Sequence, residues 1–201
     1  MVTRISNWIV SRWLKSDVIE KEQFRAYAYG CELLVSDMIS NIIVLIAALL
    51  MGRVIEMIIF LAVFSSIRVV SGGYHASSYK NCIIVFCSST ILIFLITELL
   101  IYRNFYGLIL VLAVVAELVI LMFAPVDHPN RPLSKEEMIK YRKKTIIRLV
   151  SANVIILLVY VLFPELTDKL MYALMAIFDA AIFFVIGLAE RKYLRPTKKT
   201  I

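Results

Sequence analysis

Six long apolar runs constrain this chain more than any other feature of its sequence. They cover approximately residues 34–51, 54–70, 82–102, 105–124, 146–163 and 170–188. A helix needs about 20 mostly apolar residues to cross the hydrocarbon core of a membrane. The chain is also 61% hydrophobic, whereas soluble domains are about 45–50% apolar. We therefore predict an all-α, polytopic membrane protein with about six transmembrane helices.

Two of these runs contain charged residues, which leaves a second interpretation open. Glu56 and Arg68 lie in the run 54–70, and Arg148 lies in the run 146–163. Charged side chains are costly in the hydrocarbon core of a membrane. The two runs therefore either cross the membrane or form re-entrant or interfacial pieces beside four firm spans.

The breaks between the runs differ in their content of lysine and arginine, which are enriched in cytoplasmic loops. Basic residues are dense before the first run, in the fourth break and in the C-terminal tail, and Arg68 and Lys80 flank the second break. The other breaks hold one each: Arg53, Arg103 and Lys169. We expect both termini and the second and fourth breaks to be cytoplasmic. The net charge of +7 then reflects topology and contact with membrane lipid, and nucleic acid is not an expected partner.

The N-terminal residues have the pattern of an amphipathic helix that lies in the membrane interface. Its apolar side chains recur at helical spacing: Ile5, Trp8, Ile9, Trp13 and Leu14. Asp17, followed by Glu20, predicts the cap of a second helix. We predict one integral membrane domain over residues 1–201, with an amphipathic part (1–33), the transmembrane helices (34–188) and a basic cytoplasmic tail (189–201).

The polar break after the second run reads RVVSGGYHASSYKNC, from Arg68 to Cys82. A thiol becomes a strong nucleophile when a neighbouring histidine accepts its proton, and His75 and Cys82 are the obvious pair here. On one regular helix their Cα atoms would stand about 10 Å apart. A thiol–imidazole pair therefore requires the chain between them to leave helical geometry. Gly72 and Gly73 provide backbone freedom just before it.

Plainer roles remain open for these residues. A histidine in a polar loop is most often solvated, and Cys31 and Cys87 are typical of packing residues in apolar helices. Cytoplasmic cysteines stay reduced, so we expect no disulfide. A metal site would need a recognised ligand spacing, which its four candidate ligands lack: His75, Cys82, Asp127 and His128. We predict no metal ion and no cofactor.

The spacing in this break is specific: Arg68-x3-Gly72-Gly73-x-His75-Ala76-x5-Cys82. It resembles the signature of the accessory gene regulator B (AgrB) family of bacterial membrane cysteine endopeptidases. The likeness extends over the whole chain. It includes the length, the amphipathic N-terminal part, the multiple spans and the stretch APVDHPNRP after the fourth run, where we expect a charged helix from about Ser134.

The resemblance implies a function in the bacterial cell membrane. Members of this family process a short, AgrD-like propeptide toward a cyclic autoinducing peptide for quorum sensing. The propeptide has an amphipathic N-terminal part and an acidic C-terminal tail. The catalytic cysteine corresponds to Cys82 and the catalytic histidine to His75. Membrane lipid is a further expected partner, and a homodimer is left open.

Other polar residues are candidates for supporting roles in that reaction. Arg68 could orient a peptide carbonyl or carboxylate, or could reach toward lipid phosphate instead. Ser77, Ser78 and Asn81 could orient His75 or donate to an oxyanion, or could be ordinary loop residues. The candidates for holding the acidic tail of the propeptide are the basic residues of the fourth break: Arg131, Lys135, Lys140, Arg142, Lys143 and Lys144.

Two functions of other classes compete with this one. Acidic residues inside the apolar runs could line the pathway of a small transporter or channel: Glu56, Glu98, Glu117 and Asp179. Transporters often have inverted repeats or broken helices, and neither is evident here. The third class is a non-catalytic membrane adaptor whose basic loops bind an acidic protein.

Overall fold

The structure is a computed structural model that describes residues 2–74, 78–126 and 133–194, with side chains up to Glu190. Within these residues the chain forms seven α-helices and no strand. They are α1 (Val2–Lys15), α2 (Phe24–Leu50), α3 (Val54–Ser71), α4 (Tyr79–Tyr102), α5 (Tyr106–Phe123), α6 (Lys135–Leu162) and α7 (Thr167–Leu194). The helices α2 to α7 are each long and apolar enough to cross a membrane. The prediction of an all-α polytopic protein is confirmed.

Helices α3 and α6 show how the runs 54–70 and 146–163 fold, for which both spanning helices and re-entrant pieces were left open. Each is a continuous helix of sufficient length and hydropathy to cross a membrane. Helix α6 begins where the sequence predicted a charged helix. The Ser134 hydroxyl accepts the N–H of Glu137 at 3.2 Å, and the Glu137 carboxylate accepts the N–H of Ser134 at 2.9 Å. This capping box lets α6 start in charged sequence and run on into the apolar run.

The N-terminal helix α1 confirms the predicted amphipathic helix and packs along α2. Ser6 and Val10 are fully buried between the two helices, while Trp8 is 63% exposed. The predicted cap at Asp17 is wrong. Asp17 has a φ of 52°, whereas a capping residue has extended backbone. The chain instead restarts at Glu20, whose N–H donates to the side chain of Gln23 at 3.3 Å, ahead of a short 3-10 turn (Lys21–Gln23).

Helix α7 runs through the centre of the bundle and contacts α3, α4 and α5. Its residues from 170 to 184 are all buried or half-buried. A helix that is apolar all round is stable when other helices surround it. Helix α6 is the opposite case, because Thr145 and Leu149 are its buried residues and most of its apolar surface faces outward.

The bundle has two ends, which are named here after one residue at each. At the Arg53 end the helices are joined by short connections over residues 51–53, 103–105 and 163–166. At the Cys82 end the connections are longer, over residues 72–78 and 124–134. The candidate site lies at the Cys82 end.

Candidate functional site

Cys82 lies in the first turn of α4 and is half-buried, whereas Cys31 and Cys87 are buried. Its N–H donates to the carbonyl of Ser78 at 3.0 Å. The hydroxyl of Ser78 caps the helix by accepting the N–H of Asn81 at 3.3 Å. Reactive thiols occur at such partly exposed helix N-termini. The structure thus separates Cys82 from the other two cysteines by both position and exposure.

His75 and Ser77 lie outside the described residues, so the predicted approach of His75 to Cys82 stays a prediction. The chain is described on both sides of them, as far as Tyr74 and again from Ser78. This part of the site is therefore described by the residues that lead into His75. They are residues 72–74, called the 72–74 segment below.

The 72–74 segment is held against α7. The N–H of Tyr74 donates to the carbonyl of Phe183 at 2.9 Å. A Cβ on Gly187 would stand 2.6 Å from the nitrogen of Tyr74, and a Cβ on Gly73 would stand 3.0 Å from the carbonyl oxygen of Phe183. Gly73 also has a φ of 137°, a conformation that side chains rarely permit. Glycines on both partners therefore allow the segment to approach α7 this closely.

Arg68 joins the two ends of the 72–74 segment. Its guanidinium donates to the carbonyl of Gly72 at 3.2 Å and to the carbonyl of Tyr74. It lies 4.9 Å from the centroid of the Phe183 ring. Arg68 is thus turned inward, toward the segment, and not outward to lipid phosphate. Two of its five N–H donors bond the backbone.

The segment 124–126 lies beside the 72–74 segment. The N–H of Val126 donates to the carbonyl of Ser71 at 2.9 Å, and Gly72 and Val126 form a parallel bridge. The two longer connections of the Cys82 end therefore meet where each leaves its helix. Among the residues that the structure describes, no three His, Cys, Asp or Glu side chains are grouped to hold a metal ion. Asp127 and His128 lie outside them, and the absence of a metal stays a prediction.

Helix α2 contributes acidic residues that the sequence analysis did not identify. The hydroxyl of Tyr79, in the first turn of α4, donates to the carboxylate of Glu32 at 2.7 Å. Asp37 is a second acidic residue of α2 and is exposed. The faint sequence signal was the presence of acids in and beside the first apolar run. Asn81, by contrast, is exposed at the start of α4, and Ser78 has its capping role.

The four acids of the transporter hypothesis occupy three separate places. At the Arg53 end, Arg53 pairs with Glu98 at 2.8 Å and with Glu56 at 3.5 Å. Glu117 accepts the side-chain amide of Asn153 at 2.9 Å, between α5 and α6. Asp179 is buried near the candidate site. Glu56 and Glu98 share Arg53, whereas Glu117 and Asp179 have partners of their own elsewhere, so the positions of the four acids do not favour a continuous pathway.

The basic candidates for tail binding lie on the first turns of α6, where the structure describes Lys135, Lys140, Arg142, Lys143 and Lys144; Arg131 lies outside the described residues. All five are exposed, and no ion pair involves them among the described residues. Because three of them are consecutive, they point in different directions around the helix. They form a positive surface around the start of α6, not a single stripe.

Comparison with known proteins supports the family resemblance found in the sequence. The model of the accessory gene regulator B (AgrB) family matches residues 2–188. Two curated proteins of Clostridium perfringens, both provisionally named AgrB-like, are similar. The one from strain 13 is 30% identical over 149 residues, which are 72% of this chain and 70% of the relative. The one from strain SM101 is 29% identical over 178 residues, which are 86% of this chain and 79% of the relative. No solved structure matches the chain.

Proposed function

The chain belongs to the accessory gene regulator B family, and from this premise we propose that it is a membrane cysteine endopeptidase. The family takes part in autoinducer processing in quorum sensing, with an AgrD-like propeptide as its general partner. Our proposal adds the chemistry. Cys82 cleaves the propeptide through an acyl-enzyme thioester, His75 is its base, and the N-terminal product closes into a ring.

One observation carries the proposal: the chain that leads to His75 is fastened to α3 and α7 at the same end of the bundle at which α4 begins with Cys82 in its first turn. The 72–74 segment is bonded to Phe183 on α7 and to Arg68 on α3. Ser78 lies between the histidine and the thiol and has extended backbone (φ −141°, ψ 147°), so the chain leaves helical geometry there, as the pair requires.

The first half of the reaction is an acyl transfer to sulfur. His75 accepts the thiol proton, and the Cys82 sulfur attacks a peptide carbonyl carbon of the propeptide. The C–N bond then breaks, and His75 returns the proton to the leaving nitrogen. The acidic C-terminal fragment departs as a free amine, and the N-terminal fragment remains on Cys82 as a thioester.

The second half closes the ring. A thiol or hydroxyl within the bound peptide attacks the thioester carbonyl, its proton passes to His75, and the Cys82 sulfur leaves and recovers a proton. With a peptide thiol, one thioester replaces another, so the activation of the acyl group is retained. Hydrolysis would discard that activation, and a site at the membrane boundary helps to exclude water.

The supporting residues have narrower roles in this proposal. The N–H donors of Arg68 that do not bond the backbone are available to orient a peptide carbonyl, and Ser77 and Asn81 remain candidates for the same purpose. We propose that the Cys82 end faces the cytoplasm, because the basic residues concentrate there. The positive surface at the start of α6 would then attract the acidic tail of the propeptide.

The test is co-expression with a candidate propeptide of roughly fifty residues, with an internal Cys or Ser and an acidic tail, followed by mass spectrometry of the products. Cys82→Ala and His75→Ala should each abolish cleavage while the protein still inserts into the membrane. Cys31→Ala and Cys87→Ala are matched controls, because both remove a buried thiol, and both should cleave normally. Full activity of Cys82→Ala would refute the assignment, and substantial cleavage by Cys82→Ser would count against thiolate chemistry.

A further inference from the structure

We propose that Glu32 and Tyr79 are positioning residues of this site: their hydrogen bond ties the first turn of α4 to α2 and thereby fixes the place of the Cys82 thiol. The inference rests on the proposed function and deepens it. Neither residue needs to touch the propeptide, because both act through the helix that carries the nucleophile.

The first step of the argument is the place of Tyr79 in α4. Tyr79 is the first residue of this helix, and Cys82 follows three residues later, so the two side chains are neighbours on the helix surface. The hydroxyl of Tyr79 donates to the carboxylate of Glu32 at 2.7 Å. Within the described part of the chain, no other hydrogen bond joins this first turn to another helix.

The second step is how little else holds the first turn of α4. The first N–H groups of any helix have no partner inside the helix, and helix ends open more readily than helix centres. The cap supplied by Ser78 is long, at 3.3 Å, and Lys80 and Asn81 are exposed. The bond from Tyr79 to Glu32 therefore provides a restraint that the turn does not have by itself.

The third step is that Glu32 lies on a fixed part of α2. Its neighbour Cys31 is buried in one cluster with Ala28 of the same helix and with Val10 of α1. Helix α1 thus packs against the stretch of α2 from which Glu32 reaches toward α4. An acceptor on this packed stretch can hold Tyr79 in one place.

A second contact shows that α2 and α4 lie in a defined register. The thiol of Cys87 donates to the carbonyl of Ser40 at 3.7 Å. In this pair and in the pair of Tyr79 with Glu32, the two residues are 47 positions apart, so the helices run side by side in the same direction. A thiol is a weak donor, so the hydroxyl of Tyr79 makes the stronger of the two bonds.

The contact has the properties that positioning requires. A hydrogen bond from a hydroxyl to a carboxylate is short and strong, and Tyr79 and Glu32 are both half-buried, where water competes less for the bond. The Cys82 sulfur must meet the peptide carbonyl carbon within a narrow range of positions. A loosened first turn should therefore reduce the rate at which bound propeptide is attacked, without weakening its binding.

The first experiment compares two tyrosines in the propeptide cleavage assay. Tyr79→Phe should lower kcat by about 10-fold, because small displacements of reacting groups are costly, while KM stays within about twofold. The matched control is Tyr106→Phe. Tyr106 is the first residue of α5 and donates to the carboxylate of Asp168 at 2.9 Å, so the same atom is removed from the same kind of pair at the Arg53 end. Its kcat and KM should match those of the parent protein.

The second experiment varies the acceptor. Glu32→Ala should be about as slow as Tyr79→Phe, whereas Glu32→Gln should stay within about threefold of the parent kcat, because its amide oxygen can accept the same hydroxyl. Combining Glu32→Ala with Tyr79→Phe should be no slower than the slower single variant, since both changes remove one bond. Effects that multiply, or a Glu32→Gln protein as slow as Glu32→Ala, would overturn the inference.

The remaining outcomes separate this inference from the proposed function. Rates are compared per folded molecule, with thermal unfolding in detergent measured for each variant. A parental kcat in Tyr79→Phe, or a raised KM with a parental kcat, would overturn the inference and leave the proposed function standing if Cys82→Ala is inactive. An active Cys82→Ala would instead remove the proposed function itself. If Glu32→Ala fails to accumulate, the comparison of Tyr79→Phe with Tyr106→Phe decides.

Discussion

Two arginines at opposite ends of α3 make different kinds of contact. At the Arg53 end, the Arg53 guanidinium pairs with the carboxylates of Glu98 and Glu56. At the Cys82 end, Arg68 donates to the backbone carbonyls of Gly72 and Tyr74. The first arrangement ties α3 to α4 through side chains. The second arrangement holds the backbone of residues 72–74 in place.

The two ends of the bundle are therefore stabilised by different contacts, and the proposed chemistry is confined to one of them. Short connections and ion pairs close the Arg53 end, where nothing in the proposed chemistry takes place. At the Cys82 end, where the connections are longer, contacts to the backbone hold the 72–74 segment that leads to His75. The same kind of substitution should therefore have different effects at the two ends.

The largest expected difference between the ends is their side of the membrane. In a background without native cysteines, Asn104→Cys places a thiol at the Arg53 end and Lys80→Cys places one at the Cys82 end. An impermeant thiol reagent applied to intact cells should label residue 104 and leave residue 80 unlabelled, whereas both should react in permeabilised cells. The reverse pattern would overturn the assignment of the Cys82 end to the cytoplasm.

Glycine-to-alanine substitutions at the two ends should differ in their effect on cleavage, nearly as strongly as the two ends differ in thiol labelling. Gly73→Ala introduces a Cβ that collides with Arg68 and lies 3.0 Å from the carbonyl oxygen of Phe183, so we expect cleavage to fall by about 100-fold. Gly52, at the Arg53 end, also has a positive φ, of 69°, but has open space around it.

The matched variant Gly52→Ala should therefore carry only the backbone strain, about 1 kcal/mol. Thermal unfolding in detergent would measure the strain, and the propeptide assay would measure the rate of cleavage. Equal losses of cleavage in the two variants would mean that the close approach to α7 has no special role.

A smaller effect is expected from the positive surface at the start of α6. Changing Lys140, Arg142, Lys143 and Lys144 to Gln should raise KM for the propeptide by about 10-fold and weaken its dependence on salt. The rate at which Cys82 reacts with a small thiol reagent should not change, because the site itself is intact. Unchanged binding with unchanged salt dependence would show that these residues serve topology alone.

The smallest effect should come from the ion pairs of the Arg53 end. Arg53 is 48% exposed at its side chain and Glu98 is 26% exposed, so solvent weakens the attraction. Arg53→Gln should lower stability by about 1 kcal/mol, measured by thermal unfolding, with cleavage per folded molecule unchanged. A clear loss of cleavage in this variant would mean that the two ends are coupled, contrary to the comparison above.

The helices could be predicted from the sequence because their signals are local. Each apolar run became a helix, and the start of α6 followed from Ser134 and Glu137, three residues apart. The error at Asp17 has the same origin. Both Asp17 and Glu20 fit a capping pattern locally, and the turn geometry after α1 decided between them.

The surroundings of the site could not be predicted in this way, because they depend on contacts between distant parts of the chain. Cys82 was identified through the motif that it forms with Gly72, Gly73 and His75, which resembles the signature of the AgrB family. In contrast, no local pattern connects Gly73 with Gly187, or Asp179 with Ser89. Arg68 was identified as a candidate, but its backbone partners become apparent only when the chain turns back on itself.

The contact of the 72–74 segment with α7 also implies an order in which the parts of the site form during synthesis. Helix α7 leaves the ribosome after every other described helix, yet Phe183 and Gly187 are the surface on which the segment rests. A nascent chain that has inserted only α2 to α6 already contains the thiol of Cys82 but lacks this surface. If Cys82 is the nucleophile proposed above, we expect its site to be complete only after α7 has inserted.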